Sequence, residues 1–304
     1  MMKRQIIGLV LTSVLAPSAH ALIDGKVDSN TASSPYAGVG AVIVNGGTFS
    51  GTLIGGQYVL TAAHVVGGAS LSNISFRIND GGNTVLKASS VSLFSGYTGT
   101  RPGSDGVWHD DLAIIKLAGP AASSVPFYSL YTGSLSGKAL TFVGYGAGGD
   151  GKNGVTSASS QKVKRVGRNT VDKLYRDDDS GSAYEVFQYD FDAPALLNLN
   201  GRLSDEAHFA GGDSGAAALI YDGGKWKIAG VGTYVGSSDG KNLDKYGAFG
   251  GGMVVGAYAS WINSVIGGGA TSSGALAPVP EAETWAMMLA GLGLIGFWAR
   301  RRPS

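Results

Sequence analysis

The sequence predicts an antiparallel all-β domain closed by a single terminal helix. Three observations carry that prediction. Short runs rich in Val, Ile, Thr and Tyr recur between Asn-Gly and Asp-Gly turn signals, the pattern of hairpins. Glycine supplies 50 of 304 residues, about one in six, which suits many tight turns and close backbone approaches. No long segment of helical period interrupts the strands before Val254–Ile266, where Tyr258, Trp261, Ile262 and Val265 fall on one face.

The elements follow in order. Tyr36–Val44, Gly51–Leu60, Ile74–Asn79 and Asp111–Leu117 read as strands of a first half. Ala139–Gly144, Tyr184–Tyr189, Ala216–Tyr221 and Trp226–Tyr234 read as strands of a second. Turn sequences separate them, such as Asn45-Gly46-Gly47 and Tyr221-Asp222-Gly223-Gly224. Strands in succession with one late helix exclude alternating βαβ units. Gly144 to Gly149 fits G-x-G-x-x-G, but no helix follows, so dinucleotide binding is not expected.

Composition narrows the function. A hydrophobic share of 44% excludes disorder, and glycine without a three-residue period excludes collagen. A formal net charge of +1 gives no basic surface for nucleic acid. Zero cysteines exclude disulfides, cysteine nucleophiles and thiolate metal sites. The acidic turn Arg176–Gly181 lacks the spacing of an EF-hand loop and reads as a solvated turn, so no metal site is assigned.

Both ends read as processing signals. Lys3-Arg4, the apolar run Ile6–Ala16 and Ala19-His20-Ala21 form a signal peptide over residues 1–21, making Leu22 the mature N-terminus. At the other end a small-residue linker, 271–278, precedes Val279-Pro280-Glu281, the apolar run Trp285–Ala299 and Arg300-Arg301-Arg302. Fifteen apolar residues are short for a span of about 20. Residues 279–304 closely resemble the PEP-CTERM sorting signal of Gram-negative bacteria, with Val279 in place of the first proline. The resemblance implies an exported protein of the cell envelope or exterior, a transient membrane contact, and processing by signal peptidase and an exosortase-like enzyme.

Three short motifs carry chemistry. His64 ends the run Tyr58-Val-Leu-Thr-Ala-Ala-His; Asp111 opens Asp-Leu-Ala-Ile-Ile; Ser214 sits in Gly211-Gly212-Asp213-Ser214-Gly215. A serine hydroxyl becomes a nucleophile when a base takes its proton, and imidazole titrates in the right range to do so. In the order His, Asp, Ser these motifs resemble the trypsin-like serine proteases over roughly residues 22–266. The resemblance implies two six-stranded antiparallel β-barrels, about 22–135 and 136–253, packed together with a C-terminal α-helix at about 254–266. The protease domain then covers 22–270.

It also implies a catalytic triad of His64, Asp111 and Ser214 and an oxyanion hole from the amides of Gly212 and Ser214. Peptide bonds of a protein or peptide substrate would be hydrolysed through an acyl-enzyme without a cofactor. Leu22-Ile23-Asp24-Gly25 resembles the family's activating N-terminus, so Leu22 is expected to pair with Asp213. His208, six residues before Ser214, falls where the family's pocket-base residue lies, a structural histidine being the equal alternative. Val231–Val235 resembles the segment that pairs with substrate as an antiparallel strand, with Thr233 and Tyr234 matching it and Val235 replacing a pocket-wall glycine. The alternative is a catalytically silent protease fold that binds surface or matrix; such members usually lose a triad residue, and here all three are present. A serine esterase is disfavoured because Gly212-Asp213-Ser214-Gly215-Ala216 lacks the final glycine of Gly-x-Ser-x-Gly.

Overall fold

The computed structural model describes residues 22–268, apart from 80, 83, 100–102, 104, 180, 195–202, 204 and 205. The expected signal peptide, linker and sorting segment therefore lie outside the described residues.

The first half runs β1 (Leu22–Ile23), β2 (Lys26–Val27), β3 (Val39–Val44), β4 (Gly47–Gly55), β5 (Tyr58–Thr61), α1 (Ala63–Val66), a 3₁₀ turn at Leu71–Asn73, β6 (Ile74–Ile78), β7 (Thr84–Leu93), β8 (Ala113–Leu117) and β9 (Ser129–Leu130). The second runs β10 (Ala139–Gly144), β11 (Gly148–Asp150), β12 (Gly154–Ser157), β13 (Arg165–Thr170), β14 (Lys173–Arg176), β15 (Tyr184–Phe191), β16 (Ala217–Asp222), β17 (Lys225–Ser237), β18 (Ala248–Val254) and α2 (Ala259–Gly268).

Strands β3-β4-β5-β8-β7-β6 close into an antiparallel barrel. Alternation fills its interior with Val42, Leu53, Val59, Phe76, Ile78 and Ile115. The second-half strands β14-β15-β18-β17-β16-β10-β13 follow one continuous sheet path, which β2 of the N-terminal segment extends at its end. Of the two barrels expected, closure is thus established for the first. At the other sheet β13 meets β15 through a side chain, with Asn169 Nδ2 donating to Asp190 O at 2.8 Å.

The halves share one core. Val39, Leu60, Leu112 and Ile114 of the first pack with Val143, Val231, Met253 and Ile262 of the second. Each such buried side chain contributes about 1.5–3 kcal/mol by leaving water. The helix begins later than the sequence predicts, because Val254 ends β18 and Ala259 opens α2. Its expected face is the one that packs: Tyr258 and Trp261 meet the Phe94 ring edge-on at 4.9 and 5.3 Å. Among the described residues no helix is long and apolar enough to cross a membrane.

With no cysteines, a buried ion pair ties the N-terminal segment down. Lys164 Nζ lies 3.1 Å from Asp28 Oδ2 and donates to Tyr36 O at 2.9 Å. Burial alone pulls Lys164 below its usual value, and Asp28 opposes that shift.

Candidate active site

β5 delivers His64 to the interface between the halves. The strand runs into Ala62, still extended at φ −75° and ψ 144°, and α1 starts at Ala63. Ala62 and Ala63 are fully buried where the chain turns. The His64 backbone N–H donates to Asp111 Oδ1 at 2.9 Å, and His64 Nδ1 lies 2.6 Å from Asp111 Oδ2. One carboxylate therefore holds both the backbone and the ring. Burial works against a charged His64, but the charge of Asp111 and its hydrogen bond outweigh burial and raise the imidazole above its usual value.

Asp110 and Asp111 point apart. Asp110 takes a left-handed φ of +60°, and the Leu112 N–H donates back to Asp110 O at 2.7 Å, making a tight turn before β8. Asp110 Oδ1 accepts the Tyr258 hydroxyl at 3.1 Å, away from His64. Burial raises the Asp110 pKa.

Ser214 Oγ lies 2.7 Å from His64 Nε2. Its loop is braced from the first barrel by Ser50 of β4. The Ser50 N–H donates to Ser214 O at 3.0 Å, and Ser50 Oγ donates to Gly212 O at 3.3 Å. Ser50 Oγ also accepts the Tyr145 N–H at 3.0 Å, and Ser50 O accepts the Thr61 hydroxyl at 2.8 Å. Gly212 and Gly215 bend the loop with φ of +92° and +83°. Among the described residues the amides of Gly212 and Ser214 donate to no protein acceptor. Two such N–H groups beside a serine hydroxyl form an arrangement able to receive a developing oxyanion.

Asp213 faces inward and is 1% exposed. Its carboxylate accepts the amides of Gly146 at 2.8 Å and Ala210 at 3.0 Å, and the Leu22 amide as well. Burial still outweighs these donors and the charge of Arg165, pushing the carboxyl up to about 7. Leu22 is brought there by β1, which pairs in parallel with β11 and bridges to His208 through Ile23. Both Leu22 and Ile23 are fully buried.

An open cleft of about 330 Å³ beside Ser214 is lined by Phe209, Ala210, Gly211, Gly232, Thr233, Tyr234 and Val235, among others. His208, the expected base of the pocket, is not on this wall. It is fully buried behind it, stacked on Phe191 at 5.1 Å, with Nε2 2.8 Å from Leu243 O. Burial pulls it down to about 4, and among the described residues Nδ1 has no hydrogen-bond partner. Successive side chains on extended backbone face opposite sides, so a one-residue difference puts Phe209 in the cleft and His208 behind it.

Two residues central to this arrangement were missed in the sequence. Ser50 lies in a strand without a motif, and Phe209 carries no polar group to mark it. Spacing from Ser214 came within one position of Phe209; nothing in the sequence marks Ser50.

Compared with known protein families, residues 278–302 match the PEP-CTERM protein-sorting motif, which indicates export and cell-envelope sorting in Gram-negative bacteria. No curated protein matches the chain at a significant level. Residues 23–262 match Trypsin, a stretch that takes in both halves of the fold and the whole His64–Asp111–Ser214 hydrogen-bond chain, and the protein belongs to the trypsin family.

Proposed function

We propose that this exported trypsin-family protein is an active serine endopeptidase in which Ser214, His64 and Asp111 act as nucleophile, general base and orienting carboxylate. The observation that carries the reading is the unbroken chain from Asp111 Oδ2 to His64 Nδ1 at 2.6 Å and from His64 Nε2 to Ser214 Oγ at 2.7 Å. Ser214 Oγ attacks the scissile carbonyl carbon while His64 Nε2 takes its proton. The carbonyl oxygen, now negative, is received by the Gly212 and Ser214 amides, each such donor contributing about 2.7–4 kcal/mol. His64 returns the proton to the leaving amine, and water then hydrolyses the acyl-enzyme by the same path in reverse. Because base catalysis needs neutral imidazole, activity falls on the acid side around the raised pKa of His64.

Residues 22–270 form the protease domain in this reading, its second half curling into the counterpart barrel. The Asn169–Asp190 link between β13 and β15 supports that closure. Cleavage after Ala21 would turn the Leu22 amide beside Asp213 into an ammonium, so signal peptidase would create the activating end. An exosortase-like enzyme would process the C-terminal segment. Phe209 and Val235 give the cleft an apolar wall, which favours an uncharged side chain at the cleaved residue.

Labelling by a serine-directed phosphonate tests the function. The processed protein should be labelled at Ser214 and Ser214→Ala should not. Failure of the properly processed protein to label would leave the silent-fold alternative.

A further inference from the structure

A second polar cluster joins the two halves through His109, Asp178 and Glu185, and the protease reading makes no use of it. His109 lies two positions before Asp111 and its side chain is 3% exposed. Its Nδ1 is 3.4 Å from Glu185 Oε2 on β15 and 3.7 Å from Asp178 Oδ1 in the turn after β14. On the other side Nε2 lies 3.2 Å from Asp105 Oδ2.

The two Nδ1 separations are long for hydrogen bonds, which weaken well before 3.6 Å. They match the ligand-to-ligand edge around a tetrahedral ion instead, about 3.4 Å for bonds of about 2.1 Å. The ligand atoms of His109, Asp178 and Glu185 all lie within 4.8 Å of one another. Asp105 completes the pattern, since a metal-bound imidazole usually gives its other N–H to a carboxylate. Charge points the same way: three carboxylates surround one imidazole, and even an imidazolium leaves negative charge in excess.

We propose that His109 Nδ1, Asp178 and Glu185 bind a divalent transition-metal ion, zinc by preference, with Asp105 orienting the imidazole and water taking the fourth position. One nitrogen and two oxygens suit zinc, whereas calcium takes oxygen ligands in greater number. The ion would fasten the segment leading to Asp111 in the first half to the β14–β15 turn of the second. The acidic run read from sequence as a solvated turn would thus lend one ligand, Asp178.

The test is zinc uptake by the purified protein after chelator treatment, measured by calorimetry. A His64→Ala background removes the competing imidazole and makes the result independent of proteolysis. One equivalent of zinc should bind, raising the melting temperature. Asp178→Asn, a near-isosteric change at a side chain 30% exposed, should weaken binding at least tenfold, and Asp178→Asn with Glu185→Gln should abolish it. No stoichiometric zinc, or uptake unchanged by Asp178→Asn, would overturn the proposal; tighter binding of calcium than zinc would overturn the choice of metal.

Discussion

Adding two alanines ahead of Leu22 replaces the proposed N-terminal ammonium with an amide and leaves every side chain in place. With an amide at Leu22, the Asp213 carboxyl sits at about 7 against an ordinary 3.8. Three units at about 1.36 kcal/mol each make its ionised form cost about 4 kcal/mol. The sign follows from linkage. An acid whose pKa is raised by folding costs nothing below its unfolded value, progressively more as pH rises, and the full amount above its folded value. Between pH 5 and 7.5 the extended chain should therefore lose roughly 2–3 kcal/mol of stability from this group. An ammonium about 4 Å from the carboxylate returns about 4 kcal/mol at an effective dielectric of 20, enough to cancel the loss. Urea unfolding of both N-terminal forms in a Ser214→Ala background measures the difference. With Ser214 intact, displacement of the neighbouring oxyanion amides should lower kcat/KM about 10²–10³-fold. Equal pH slopes and equal kcat/KM for the two forms would refute the reasoning.

Asp111→Asn should lower kcat by about four orders of magnitude, as loss of the orienting carboxylate does in such triads. Asp110→Asn should change it less than tenfold, because Asp110 faces Tyr258; steady-state kinetics separates the two. Gly215→Ala should destabilise by more than about 2 kcal/mol in urea unfolding, since the new Cβ would overlap Ser50 O and Thr61 Oγ1 at a φ of +83°. His208→Gln should leave the cleavage profile of a peptide library unchanged. It should also flatten the acid limb of stability: a histidine pulled down to about 4 costs the fold up to about 3 kcal/mol as pH falls from 6.5 through 4.

What the sequence disclosed depended on how local the signal was. β3, β6, β8 and β10 were legible because Val, Ile and Phe alternate or run together between turn residues. β18 was not, because Gly250–Gly252 supply no side chains to show a period; their reason is spatial, with Gly252 lying against Val231 O. β7 was missed because it is largely half-exposed along its length. His64, Asp111 and Ser214 each stood beside a distinctive neighbour sequence, and the fold brings them within hydrogen-bond distance. For His208 the count from Ser214 left a pocket base and a structural histidine equally open, because it fixes distance but not side, and the structure buries the residue. The His109 cluster draws its members from positions 76 residues apart, and no local pattern announces it.

Ser50 gives the site an order of assembly. His64 and Asp111 belong to the first barrel, and the loop carrying Ser214 takes its brace from that barrel through Ser50. A chain in which only the first half has folded therefore lacks the Ser214 loop, and one in which only the second has folded lacks both the His64–Asp111 pair and the Ser50 brace. Proteolytic capacity would appear only at the docking of the halves, the step at which the protein itself ceases to be an easy substrate.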